Sequence, residues 1–297
     1  MGRTRRIIRL REAAKTYANM ALKIVPTAAS RSTYRDKTSP KGKELIEMAV
    51  RAIKRAAPEK VLVISYKSWL VMKGVEERTI SAAIDARLTD EEKARVSHLT
   101  YGSHTATNVF KDCRHVILMG LNFLPSAASY AASGAALQKP MRSADPADHP
   151  TEHQVEEMRV GMLRDATVQA VLRGNARLGL SGDCGPCEVI IPQTRQTSLT
   201  EADYRGMFPG VTLTEDRSLM PVKPLRGRLK DLSAIVARRL AAGDVEMPNP
   251  SLCAELGMAR QDFAALVKKP EWGVWVAAMG LNPGLLRGRV MGLRRLA

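Results

Sequence analysis

Val61-Leu62-Val63-Ile64-Ser65-Tyr66 is apolar at almost every position, with only Ser65 and the Tyr66 hydroxyl interrupting it. A strand with one wet face alternates apolar and polar residues. A short continuous run does not, so this segment is expected to be covered on both faces, as strands of parallel sheets are. The flanking sequence supplies the covers. Lys43 to Ala57 has helical periodicity, with Leu45, Met48, Ala49, Ala52 and Ile53 on one side, and Pro58 ends it. A helical region follows the strand. His98-Leu99-Thr100-Tyr101-Gly102 and His115-Val116-Ile117-Leu118-Met119-Gly120 then read as two further strands, each closed by glycine. Residues 139–151, rich in Pro, Asp and Ser, read as a surface excursion. Glu152 to Leu172 is helical, and Val189 to Pro192 is a fourth strand. Strands alternating with helices imply a parallel sheet in a three-layer α/β/α sandwich, with chemistry expected at the carboxyl ends of the strands.

The 297 residues suffice for one large or two ordinary domains, and 45% hydrophobic content with only 4% aromatics implies a largely aliphatic core. No apolar run approaches the ~18 residues of a membrane span. Met1-Gly2-Arg3-Thr4-Arg5-Arg6 is basic but has neither the apolar core nor the cleavage site of a signal peptide. Four cysteines without a secretory signal point to a reducing cytoplasm. The net charge of +16 is uneven: residues 1–60 carry 16 Lys/Arg against 5 Asp/Glu, net +11, and residues 222–297 carry 13 against 6, net +7. The intervening residues 61–221 carry 17 against 19, net −2. Two basic ends around a near-neutral centre favour a polyanion partner, DNA first with RNA left open. The plainer alternative is solubility alone.

The expected organisation is a basic segment at 1–40 (a basic helix and a polar connection), an α/β domain at 41–197, a linker at 198–229 and a small all-α domain at 230–297. Pro209-Gly210, Pro221 and Pro224 break the pattern in the linker. In the last domain, Leu232 to Ala242 is a helix closed by Gly243. Ser251 to Leu266 then has the pattern of a helix-turn-helix: Cys253 is small where two helices touch, and Gly257 lies four residues on, flanked by Leu256 and Met258. Phe263 and Leu266 face inward on the second helix. An ordinary αα-hairpin is the alternative. As a DNA-binding module it would present Arg260, Gln261 and Asp262 to base edges and Lys268 and Lys269 to phosphates.

Gln169-Ala170-Val171-Leu172-Arg173-Gly174-Asn175-Ala176-Arg177 places a glutamine and two arginines on consecutive helical turns before the strand Glu188-Val189-Ile190-Ile191. Alone, such a row is a solvated face as readily as a site. Taken with what precedes it, residues 41–195 resemble the second RecA-like lobe of superfamily two helicases, of phage and plasmid replication or translocase type. Val61 to Lys67 is similar to that family's motif IV strand. Gly102 to Asp112 with the following strand is similar to motif V, its Gly-Thr-Asn core appearing as Ala106-Thr107-Asn108. Gln169 to Arg177 is similar to motif VI, Gln-x-x-Gly-Arg-x-x-Arg. Gln169 and Arg173 match, Leu172 replaces the glycine, and Arg177 falls one position late. The resemblance implies Arg173 as arginine finger with Arg177 a second candidate, and Gln169 as nucleotide sensor. It implies that Thr107 and Asn108 couple the cleft to nucleic acid, and that Ser65 and Lys67 touch phosphate.

The first lobe is missing. No Gly-x-x-x-x-Gly-Lys-Ser/Thr loop occurs, and no apolar strand ends in Asp-Glu. ATP and magnesium are therefore expected only if a first lobe is supplied, as a separate partner or among other replication proteins, and the chain alone is expected not to hydrolyse ATP efficiently. The competing expectation is a stand-alone DNA-binding or regulatory protein carrying a relic lobe. Cys184-Gly185-Pro186-Cys187 has the thioredoxin tetrapeptide, but it follows a helix and leads into a strand, the reverse of the redox arrangement, so a tight turn is expected. Cys113 and Cys253 lie too far off in sequence to complete a zinc set. His98, His104 and His115 read as structural residues on or beside strands, and no metal site is expected.

Overall fold

The computed structural model describes residues 15–36, 40–67, 69–70, 78–103, 108–139, 145–194, 199–220, 225–286 and 290–295. The chain divides after Glu215 into two compact units. The first is built on six strands: β1 (Met20–Val25), β2 (Val61–Ser65), β3 (Val96–Thr100), β4 (His115–Leu118), β5 (Cys187–Pro192) and β6 (Thr212–Glu215). Their order across the sheet is β6-β1-β5-β4-β2-β3, and every neighbouring pair is parallel. The helices of this unit are α1 (Arg31–Arg35), α2 (Lys41–Arg55), α3 (Ile80–Asp85), α4 (Asp90–Ala94), α5 (Ser126–Ala136), α6 (Glu152–Val171) and α7 (Glu201–Met207). All five residues of β2 are buried. That matches the double cover implied by its unbroken apolar run.

The two faces are packed by different helices. Met20, Leu22, Leu62, Ile64, Val116, Leu118, Val189 and Ile191 project from one side into a core shared with Leu163, Ala170 and Val171 of α6 and with Tyr204 and Phe208. Alternate residues point the other way. There α3 packs on β2, and Arg55 of α2 reaches Glu188 of β5. Leu45, Ile46, Met48, Ala49 and Ile53 of α2 are buried. Each larger aliphatic side chain contributes about 1.5–3 kcal/mol of burial, so the sheet is held from both sides mostly by aliphatic packing, with Tyr204 and Phe208 among the few aromatics.

Three expectations are corrected. The basic segment expected at residues 1–40, a helix and then a polar connection from Ser30 to Pro40, holds β1 ahead of that connection, an interior strand between β6 and β5; residues 1–14 lie outside the described residues. Lys23 disguises it. Its ammonium lies 2.5 Å from Glu188 Oε2, which lets a lysine occupy a central strand. The expected linker at 198–229 holds α7 and the edge strand β6, both part of the first unit. α7 starts at a capping box made by Thr200 and Asp203, a signal the prolines nearby conceal.

The third correction concerns the second unit. It is not all-α. Its helices α8 (Arg228–Ala241), α9 (Asn249–Glu255), α10 (Arg260–Val267) and α11 (Pro270–Ala278) accompany strands β7 (Glu246–Pro248), β8 (Leu281–Leu285) and β9 (Met291–Arg295). These form an antiparallel sheet in the order β7-β9-β8. Met247, Leu281 and Leu293 come from the strands and close a core with Leu232, Leu252, Phe263, Trp272 and Val276. Pro283, Gly284 and Gly292 interrupt β8 and β9 in sequence and hide their strand character. α9 and α10 are joined by Leu256–Ala259, with Gly257 at φ +64°, a left-handed turn that suits glycine. Among the described residues no helix is long and apolar enough to cross a membrane.

Candidate functional site

α6 has twenty residues and at 1.5 Å per residue is about 30 Å long. It carries the chain from the carboxyl side of the sheet back to the amino side, where β5 can begin parallel to β4. The row at 169–177 is delivered to that amino edge. The helix ends at Val171, capped at Leu172, so the two arginines do not sit on consecutive turns of one helix. Arg173 folds back in a turn, its Nη2 donating to Gln169 Oε1 at 3.1 Å, and it is only 8% exposed. Asn175 to Arg177 forms a 3-10 turn, held where the Asn175 N–H donates to Cys113 O at 2.8 Å, just ahead of β4.

Arg177 is exposed, and its Nη1 donates to Asn108 Oδ1. Burial first, and the Arg177 charge second, lower the pKa of Arg173. The two guanidiniums are therefore close enough to repel. Lys15 adds a third cation, its Nζ donating to the carbonyls of Ala176, Arg177 and Leu178 at 2.7, 2.9 and 2.8 Å. These contacts satisfy carbonyls that end a helical turn and hold the Arg177 loop. Lys15 lies 161 residues from Ala176 in sequence, and no motif marks it.

Of the residues singled out from sequence, Gln169, Arg173, Arg177 and Asn108 come together at this edge. Thr107 and His104 lie outside the described residues. Ser65 and Lys67 are elsewhere, at the carboxyl end of β2. Ser65 is 3% exposed and Lys67 is exposed.

At the carboxyl ends of β2, β3 and β4, where chemistry is expected in such sheets, three tyrosines pack together. Tyr34 donates to Met119 O at 2.9 Å, Tyr101 to Gly120 O at 2.5 Å and Tyr66 to Leu121 O at 2.5 Å. Three phenols thus hold three consecutive carbonyls beyond β4, and their rings form a chain with centroids 6.0 and 5.4 Å apart. Burial raises the pKa of all three, keeping them neutral donors.

The four cysteines are free and buried. Burial raises the Cys184 thiol and pushes Cys187 up to about 12, the opposite of a reactive thiol. Gly185 sits against Asn175: a Cβ there would stand 1.9 Å from Asn175 Oδ1 and 2.6 Å from Asn175 O. The tight turn expected there is not found: the turn falls at Ser181–Gly182, and Asp183 to Cys187 runs extended, pairing in parallel with Thr16 at one end and Met20 at the other. His98 Nε2 lies 2.9 Å from Asp85 Oδ1, and His115 Nδ1 lies 3.7 Å from Glu188. Among the described residues no group of three or more His, Cys, Asp or Glu side chains is placed to hold a metal ion.

In the second unit Leu252, Cys253, Leu256, Phe263 and Leu266 are buried, as the helix-turn-helix pattern requires of its inner face. Arg260, Gln261, Asp262, Lys268 and Lys269 are exposed on or just beyond α10. Glu255 is bound by Arg238 and Arg239, and Glu246 by Arg294, so these carboxylates are already engaged by other cations.

No protein-family model, curated protein or solved structure matches the chain.

Proposed function

We propose that the first unit is the second RecA-like lobe of a superfamily two helicase or translocase, and that the second unit binds DNA through a helix-turn-helix formed by α9 and α10. The observation that supports the first part most is the Gln169–Arg173 and Arg177–Asn108 pairing. It joins the segments that resemble motifs V and VI, 69 residues apart, at one edge of a parallel sheet. Arg177 is the finger in this reading. It is exposed, while Arg173 is buried and serves to position Gln169 and the turn. ATP and magnesium would be bound by the partner lobe, since this chain has no phosphate loop; Arg177 would offset charge developing on the transferring phosphate. Arg260 and Gln261 would face base edges, with Lys268 and Lys269 on phosphates.

The test begins with the coding DNA upstream of and adjacent to this gene. A reading frame with Gly-x-x-x-x-Gly-Lys-Ser/Thr and an Asp-Glu strand is co-expressed, and DNA-stimulated ATP hydrolysis is measured. Arg177→Ala is expected to lower kcat by about 10³-fold with the complex intact, the scale of an arginine finger. An unchanged rate, or DNA-stimulated hydrolysis by the pure chain abolished by Arg173→Ala, overturns this assignment.

The second reading, a stand-alone DNA-binding protein with a relic lobe, is favoured by the burial of Arg173. It requires sequence-selective DNA binding that Arg260→Gln relaxes and that needs no first-lobe partner.

A further inference from the structure

The second unit contains a cavity of about 510 Å³ between α9, α10, α11 and the β8–β9 pair. Its walls are Cys253, Phe263, Val267, Trp272, Val276 and Leu293. That volume lies within the range of small-molecule sites, which combine an apolar body with a few orienting polar groups. Here the polar side chains are Asn249 and two cations, Arg260 and Lys268, and among the described residues no carboxylate lines the cavity. Both are exposed, and among the described residues neither forms an ion pair with Asp or Glu. Val290 and Met291, 37% and 51% exposed, also line it and leave apolar surface open to solvent.

An apolar chamber with a one-signed rim selects for one kind of occupant. In the chain without DNA, a neutral hydrocarbon would leave the two cations unused, and a cation would be repelled by them. A carboxylate carried on an apolar body satisfies both parts: its body removes apolar wall from water, and its head meets Arg260 and Lys268 at the mouth. We propose that this cavity binds a small amphipathic carboxylate, of the class of medium-chain fatty acids.

The probe is decanoate, titrated into the full chain without nucleic acid, so that failure here and failure of the DNA reading are separate results. Trp272 lines the cavity and stacks on Trp275, ring centroids 5.0 Å apart. Their fluorescence, in a Trp69→Phe background, reports occupancy. Saturable binding is expected with a Kd below about 1 mM, at least about tenfold tighter than for decylamine or decanol. Gly273 lines the cavity and has nothing within 4 Å of a Cβ built on it. Gly273→Phe, whose Cβ meets open space, is expected to occupy the chamber and to weaken decanoate at least about tenfold. The double change Arg260→Gln with Lys268→Gln, which leaves the chamber open, is expected to abolish the preference for decanoate over decanol. Equal binding of decylamine, decanoate binding unchanged in Gly273→Phe, or no saturation by the wild-type chain overturns the proposal. If Gly273→Phe loses its circular-dichroism transition, the charge variant decides alone.

Discussion

Replacing Glu188 by glutamine tests the amino edge of the sheet. Glu188 begins β5 and faces Lys23 Nζ at 2.5 Å, Arg55 Nη2 at 3.5 Å and His115 Nδ1 at 3.7 Å. Burial works against its charge, but the His115 ring and the Lys23 and Arg55 charges outweigh it and hold the carboxyl down to about 2, from an ordinary 4.5. The His115 contact is too long for a good hydrogen bond, so Lys23 and Arg55 carry most of the effect. At about 1.4 kcal/mol for each pH unit of difference, the folded state gains about 3 kcal/mol from ionised Glu188. The sign follows from the direction: a carboxyl lowered by folding stabilises fully above its unfolded value. That contribution is lost as pH falls from about 4.5 towards 2. Glu188→Gln should therefore lose about 3 kcal/mol at pH 7, a urea midpoint shift on the order of 1 M for the first unit. Wild type and variant should converge as pH approaches 2. Urea melts by far-ultraviolet circular dichroism at pH 7, 4 and 2.5 measure this. A difference below about 0.5 kcal/mol at pH 7, the size of an exposed pair, or one that does not shrink in acid, refutes the reasoning.

Gly185→Ala should destabilise the first unit by about 1–3 kcal/mol, because the new Cβ meets the Asn175 backbone oxygen as well as its side chain; an unchanged urea midpoint would contradict that contact. Arg173→Ala should cost about 2 kcal/mol, since it removes a buried, hydrogen-bonded side chain. Arg177→Ala should cost no more than about 0.5 kcal/mol, and thermal melts that rank the two in reverse would show that Arg177, not Arg173, braces the turn. Cys184 and Cys187 should react with an aromatic disulfide at pH 7.5 far more slowly in the native chain than in the urea-unfolded one, because burial raises both thiols. Rapid native labelling would mean that the segment from Cys184 to Cys187 opens. DNA affinity, read by fluorescence anisotropy, should fall with salt with a log–log slope of about −2 or steeper if Lys268 and Lys269 each meet a phosphate. A Lys268→Glu and Lys269→Glu variant that leaves the slope unchanged would remove them from the interface.

How much was legible in advance depended on whether a signal was local. β2, β4 and β5 could be read because burial on both faces leaves a run of consecutive apolar residues, whereas β3, a half-buried edge strand, is marked mainly by the glycine that closes it. α2 and α6 carry helical periodicity and a stop or cap that needs no distant partner. The inner and outer faces of α9 and α10 were equally plain. β1 was not, because its lysine is acceptable only beside Glu188, 165 residues away. β8 and β9 were not, because a proline and glycines suit an edge hairpin only once the core of the second unit exists to cover their leucines.

The same division holds for the site. Sequence by itself determined an α/β unit with a parallel sheet, the basic character of both ends and the residues of the 169–177 row, since composition and short-range periodicity are properties of the chain. Only the tertiary structure decided where that row goes and which arginine faces solvent. The direction and length of α6 carry it to the amino edge, Lys15 and Asn108 fix its turn from remote positions, and packing buries Arg173 while leaving Arg177 exposed. Those outcomes depend on contacts between segments far apart in the chain, and such contacts form only when the sheet is assembled.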